Sequence, residues 1–134
     1  MIVEKVIPFL MFQEGNAEVA MNYYTSLIED SEITSIVRYG ANEAGDEGTV
    51  MQATFTLKGQ EFMCIDSYVK HQFSFTPSFS IYIVCDTEEE INTLYQKLLE
   101  GGEALMPLED YGFSKKFGWV NDRFGVSWQL NLLK

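Results

Sequence analysis

Histidine, cysteine, proline and positive charge are all scarce in this chain of 134 residues, and each scarcity removes a class of function. The single histidine, His71, cannot build a histidine-rich metal site, and no Ser-His-Asp order is discernible around it. Cys64 and Cys85 fall inside apolar, strand-like runs with no Cys-x-x-Cys pairing, so reduced core thiols are expected in place of a disulfide or a zinc site. Nine basic residues stand against twenty acidic ones, a formal charge of −11 that repels a phosphate backbone, and no nucleic-acid partner is expected. The acidity reads first as a solubilising surface and only secondarily as an attraction for a cationic ligand. No apolar run approaches the roughly 20 residues that span a bilayer, and Met1-Ile2-Val3-Glu4-Lys5 lacks a signal-peptide cleavage pattern. A cytoplasmic protein without a membrane partner is therefore expected.

What is present is enough for a real core. Hydrophobic residues make up 46% of the chain and aromatics 14%, a globular composition, and the length fits one domain over residues 1–134. Val3 to Phe12 reads as an apolar strand interrupted at Pro8. Asn16 is a good helix N-cap, and Ala17, Ala20, Met21, Tyr24, Leu27 and Ile28 recur at helical spacing behind it. The second half repeats this grammar. Phe79 to Asp86 reads as a strand, Thr87 with Glu90 forms a capping box, Ile91, Leu94, Tyr95, Leu98 and Leu99 form a stripe, and Gly101-Gly102 ends the helix.

Superposing the two caps gives an offset of about 71 residues that pairs Tyr24 with Tyr95, Leu27 with Leu98 and Phe9 with Ser80. Three strand-like runs follow each helix: Glu32–Tyr39, Thr49–Leu57 and Gln60–Asp66, then Ala104–Leu108, Lys115–Val120 and Val126–Leu132. The expected fold class is α+β, two βαβββ modules forming a curved open mixed sheet, with module one over about 1–67, a linker over about 68–76 and module two over about 77–134. In the closing segment Gly118 to Leu130, Asn121-Asp122 supplies turn chemistry and Phe124-Gly125 allows a sharp re-entry. Val126, Trp128 and Leu130 then alternate with Ser127, Gln129 and Asn131.

That closing segment, with Ile7 to Phe12, Asn16 to Tyr24, Gly48 to Met51 and Phe55 to Met63, resembles the vicinal-oxygen-chelate superfamily of glyoxalase I, extradiol dioxygenases and fosfomycin- and bleomycin-resistance proteins. Within it the chain is similar to the PhnB-like branch, sometimes labelled 3-demethylubiquinone-9 3-methyltransferase. The resemblance implies a cavity between paired modules, with a divalent metal on ligands from the first and last strand of each module. Carried over, those positions fall on Phe9, Met63, Ser80 and Gln129. Phenylalanine and methionine offer no useful ligand to a hard ion, and serine and glutamine offer weak ones, so neither a metal nor another cofactor is expected. The methyltransferase label finds no support, because no Gly-x-Gly strand-to-helix turn with a following ribose-binding acid is present.

Other candidate ligand contacts are Arg38, whose fork suits a carboxylate or phosphonate although an exposed or salt-bridged arginine is the first expectation in so acidic a chain, Gln52 and Thr54 on one face of their strand, and Tyr82 and Trp119. Trp119, Trp128, Tyr39 and Tyr82 together suggest an aromatic cage, although Trp128 shares the apolar face of its strand and reads as core. The leading reading is a metal-independent, homodimeric binder of a small organic ligand. The alternative is a divalent-metal-dependent lyase, isomerase or dioxygenase using His71, Glu61 and Gln129.

Overall fold

Proline has no N–H to give a ladder, and the first strand begins only after Pro8. In the computed structural model, which describes residues 1–133, β1 is Phe9–Phe12, and Val3 to Ile7 lie outside it. The Pro8 carbonyl still accepts from the Met63 N–H at 3.0 Å. The chain divides into two compact units, Met1–Gln72 and Phe73 onward.

The first unit continues with α1 (Ala17–Leu27), β2 (Glu32–Arg38), β3 (Val50–Leu57) and β4 (Gln60–Asp66). Its sheet runs in the order β1-β4-β3-β2, parallel between β1 and β4 and antiparallel elsewhere. Ala17, Ala20, Met21 and Tyr24 are the buried stripe of α1. Leu10, Phe12, Val50, Ala53, Phe55, Leu57, Phe62 and Cys64 are the buried apolar residues of the sheet, and the Phe55 and Phe62 rings stack at 5.3 Å. Ile28 is not helical but caps the C-terminus, its N–H reaching the Tyr24 carbonyl.

Asn16 holds the N-cap position of α1 but makes no side-chain cap bond, and its Oδ1 is buried without a partner. The capping oxygen comes from far along the chain, on the strand beside β1. Asp66 Oδ1 accepts from the Ala17 N–H at 3.0 Å, while its Oδ2 accepts from the Val50 N–H at 2.8 Å. One buried carboxylate thus fixes the start of the helix and the start of β3.

The second unit contains β5 (Ser80–Cys85), α2 (Glu88–Leu99), β6 (Glu103–Glu109), β7 (Lys116–Asn121) and β8 (Ser127–Leu132). Its order, β5-β8-β7-β6 with β5 and β8 parallel, repeats that of the first unit element for element. Two mixed four-stranded sheets, each with one helix, are therefore the product of one pattern used twice. Thr87 Oγ1 accepts from the Glu90 N–H at 3.1 Å, as a capping box requires, while the Glu90 carboxylate returns to the N–H of Asp86 at 3.3 Å. Ile91, Leu94, Tyr95 and Leu98 are the buried stripe, each contributing about 1.5–3 kcal/mol through burial.

Gly118 shows why β7 has a gap in its side chains. A Cβ there would fall 2.6 Å from the Tyr95 ring, so the ring lies directly on the strand, with its hydroxyl donating to the Met106 carbonyl at 3.1 Å. The closing turn differs from the sequence expectation by one residue. Asn121 ends β7 as the register partner of Ser127, and the turn is Asp122 to Gly125, with Gly125 at φ +90° and its N–H bonded to the Asp122 carbonyl at 2.9 Å.

Cys64 and Cys85 are buried free thiols. Burial, reinforced by the Asp66 carboxylate, pushes the Cys64 thiol up to about 12, and burial with Glu90 and Asp86 nearby pushes Cys85 up to about 11. Neither is a reactive thiolate at neutral pH. Among the described residues no helix is long and apolar enough to cross a membrane.

Candidate functional site

Strand pairing in the second unit sets three cross-strand rows on the face opposite Trp128 and Leu130. They are Ser80–Ser127–Asn121–Glu103, Tyr82–Gln129–Trp119–Met106 and Val84–Asn131–Phe117–Glu109. Three of the sequence candidates, Tyr82, Trp119 and Gln129, are therefore neighbours in one row. Ser80 stands opposite Ser127, two residues from the position that pairs with Gln129. The first-strand and last-strand positions are thus offset along the sheet, yet they touch diagonally, with Gln129 Nε2 donating to Ser80 Oγ at 3.3 Å.

A continuous polar chain results. The Trp119 indole N–H donates to Ser127 Oγ at 2.8 Å, the Ser127 and Ser80 hydroxyls lie 2.6 Å apart, and Ser80 Oγ donates to the Pro77 carbonyl at 3.5 Å. With Ser127 donating to Ser80, every hydroxyl both gives and receives. This chain positions Trp119, which is half-buried; Tyr82, with one strand between them, is exposed on the other side of Gln129. Trp128 is fully buried on the opposite face, its indole N–H donating to Asp122 Oδ2 at 2.8 Å, so a cage containing both tryptophans does not form.

In the first unit Phe9 pairs with Met63 and Met63 with Thr54, so these three candidates also share a row, continued by Ser35. Phe9 is exposed and Thr54 half-buried. Gln52 is exposed and pairs with Val37 one row away. Arg38 has another occupation. Its Nε and Nη2 form a two-pronged ion pair with Glu18 of α1 at 3.1 and 2.6 Å, linking β2 to the helix. The guanidinium holds the Glu18 carboxyl below its ordinary range, and Glu18 holds Arg38 above its own. Glu61 makes an ion pair with Lys5 at 3.3 Å, and the exposed His71 donates its backbone N–H to Gln13 Oε1 at 2.6 Å.

The donor set does not suit the divalent metal that the superfamily implies. Phe9 has no lone pair, Met63 has a soft thioether, and Ser80 and Gln129 are neutral groups already bonded to each other. Among the described residues no group of three or more His, Cys, Asp or Glu side chains is placed to hold an ion.

Ser127, Asn121 and Asn131 also lie on this face, beyond the ligand contacts expected from the sequence. Their signal was the alternation of Ser127, Gln129 and Asn131 along β8, which gives a face but not its register.

The family described as 3-demethylubiquinone-9 3-methyltransferase matches residues 4–131. Among solved structures the chain is similar to the PhnB protein from Bacillus cereus, at 64% identity over 96% of this chain and 99% of that one, with a TM-score of 0.93. It is also similar to protein PA1353 from Pseudomonas aeruginosa, at 26% identity over 98% of each chain, with a TM-score of 0.84. A likeness in fold alone, at 12% identity, joins it to the fosfomycin resistance protein FosX from Listeria monocytogenes, complexed with Mn(II) and sulfate, over 100% of this chain and 93% of that one, with a TM-score of 0.64.

Proposed function

The chain belongs to the 3-demethylubiquinone-9 3-methyltransferase family, the PhnB-like branch of the vicinal-oxygen-chelate superfamily, and we propose that this member binds a small organic molecule without a metal. One observation carries the reading: the superfamily's ligand positions hold Phe9, Met63, Ser80 and Gln129, and the two polar ones spend a hydrogen bond on each other. What the second unit offers a ligand is two aromatic side chains, Trp119 and Tyr82, one on each side of Gln129. Methyl transfer is not proposed, since each unit is βαβββ with a single parallel pair and has no doubly wound parallel sheet for a methyl donor.

The competing reading is a divalent-metal-dependent lyase, isomerase or dioxygenase, favoured by the fold shared with Mn(II)-bound FosX. Calorimetry with Zn, Ni, Mn and Fe(II) on untagged protein, together with elemental analysis, separates the two. No stoichiometric binding is expected; one equivalent bound, and lost on Gln129→Ala, would overturn metal independence. A thermal-shift panel of small aromatic metabolites is expected to yield at least one that raises Tm.

A homodimer belongs to the same proposal. β1 and β5 are the first strands in their sheet orders, each with one open edge, and Val3, Val6 and Phe9 beside β1 are exposed and apolar. Light scattering coupled to gel filtration is expected to give twice the chain mass of 15.3 kDa; a monomer at micromolar concentration would remove this part.

A further inference from the structure

Gln129 is oriented by its neighbours and left half unused. Ser80 Oγ spends its one proton on the Pro77 carbonyl at 3.5 Å and takes the Ser127 hydroxyl at 2.6 Å, so any further group facing it must be a donor. The Gln129 amide therefore turns its NH2 to Ser80, at 3.3 Å, and directs its carbonyl oxygen elsewhere. That oxygen, Oε1, accepts no hydrogen bond from the described residues and is not buried. One N–H of the same amide is also unspent, so Gln129 offers one acceptor and one donor.

Aromatic side chains flank this amide. β5 and β7 both pair with β8, which puts Tyr82 and Trp119 on either side of Gln129, each one strand spacing of about 4.8 Å away. A ring centred over Gln129 is then near the roughly 4.5–7 Å at which ring pairs attract, toward both neighbours at once. Trp119 is held there by its indole N–H on Ser127 at 2.8 Å, and Tyr82 is exposed. The row itself carries no charge, ending on β6 in Met106, while the rows before and after it end in Glu103 and Glu109. Carboxylates on both sides oppose an anion. A group with donors only does no better at the amide, because it sets N–H against the remaining N–H of Gln129.

We propose that the ligand is an uncharged flat heterocycle with an N–H beside a C=O, as in a lactam or pyridone, which gives its N–H to Gln129 Oε1 and takes the remaining Gln129 N–H on its carbonyl while its ring lies between Tyr82 and Trp119. This rests on the small-molecule reading above and names the class of ligand. It excludes carboxylates and phosphonates, the class that a free Arg38 would have favoured.

Four flat probes separate the possibilities. 2-Pyridone carries the amide edge, N-methyl-2-pyridone keeps the ring and the carbonyl but loses the N–H, benzamidine has donors only with positive charge, and benzoate has acceptors only with negative charge. Each is titrated into the full chain while nitrogen-correlated NMR follows the Gln129 side-chain amide and the Trp119 indole. 2-Pyridone is expected to shift both signals, and the other three to bind at least about tenfold more weakly, the effect of one lost hydrogen bond. Gln129→Leu removes the edge at similar volume, and is expected to weaken 2-pyridone about tenfold and to erase its advantage over the N-methyl derivative. The comparison of 2-pyridone with its N-methyl derivative needs no variant and stands if Gln129→Leu does not fold. Equal binding of those two probes, tighter binding of benzamidine or benzoate, or a preference that survives Gln129→Leu would overturn the amide-edge class and leave the binding reading intact. Binding of indole with no response to 2-pyridone would do the same. Silence from all four probes and from indole would remove both.

Discussion

Asp122→Ala is expected to lower stability by about 4 kcal/mol, the largest effect of any single substitution in the second unit, and Tm by roughly 12–20 °C. The carboxylate is 3% exposed. Its Oδ1 accepts from the backbone N–H groups of Phe124 and Val126 at 2.8 and 3.0 Å, and its Oδ2 from the Trp128 indole N–H at 2.8 Å. Bonds to a charged acceptor contribute about 1.5–3 kcal/mol each, and truncation also strands a buried indole donor. Asp122→Asn keeps the volume but turns an NH2 toward donors, and about half the loss is expected. Trp128→Phe removes the indole N–H together with part of a buried ring, and a double-mutant cycle with Asp122→Ala, which cancels the packing loss common to both arms, should return a coupling of about 1–2 kcal/mol. Chemical denaturation measures all three; a loss below about 1.5 kcal/mol for Asp122→Ala would show that the turn holds without its carboxylate. The consequence reaches the candidate site, because this turn sets the register of β8 and with it the positions of Ser127, Gln129 and Asn131.

Much of this architecture was legible in the sequence wherever the determining contacts are local. The stripes of α1 and α2 follow from three- and four-residue spacing, the capping box of Thr87 and Glu90 spans three residues, and the alternation Ser127-Trp128-Gln129-Leu130 puts Trp128 in the core and Gln129 on the other face. Repetition made the second unit readable from the first. The rest was hidden by distance along the chain. An exposed or salt-bridged arginine is the first expectation for Arg38 in so acidic a chain, but the partner, Glu18, twenty residues earlier, is not visible from β2. Alternation sets Gln129 and Ser80 on one face and leaves the register to pairing; the parallel ladder sets Gln129 opposite Tyr82, two residues beyond Ser80. Trp128, read as core from the apolar face of its strand, is core, and a cage with both tryptophans does not form. Trp119 and Trp128 sit on adjacent antiparallel strands whose relative parity depends on the length of the intervening turn, and that turn begins one residue later than its sequence suggests.

The least legible feature is also the source of the second large effect, an expected loss of about 3 kcal/mol on Asp66→Ala. Asn16 has the residue type and place of an N-cap, and in an isolated helix its removal costs about 1 kcal/mol. Here its side chain caps nothing, and the oxygen at the helix N-terminus belongs to Asp66, 49 residues beyond Ala17. The reason is the sheet: β4 lies parallel beside β1, so its last residue, the partner of Phe12, arrives where the chain turns into α1. A carboxylate at that point meets the first helical N–H and the positive end of the helix dipole, and its second oxygen takes the Val50 N–H at the start of β3. Asp66→Ala therefore removes a cap and a strand anchor together, whereas Asn16→Ala removes no hydrogen bond and is expected to cost well under 1 kcal/mol. Denaturant titration of the two variants gives the order, and hydrogen exchange locates it: the Ala17 and Val50 amides should lose protection in Asp66→Ala and keep it in Asn16→Ala. The reverse order would return the cap to Asn16. The expected order makes the helix boundary a tertiary contact, set by the pairing of β1 with β4 and not by the residue that precedes the helix.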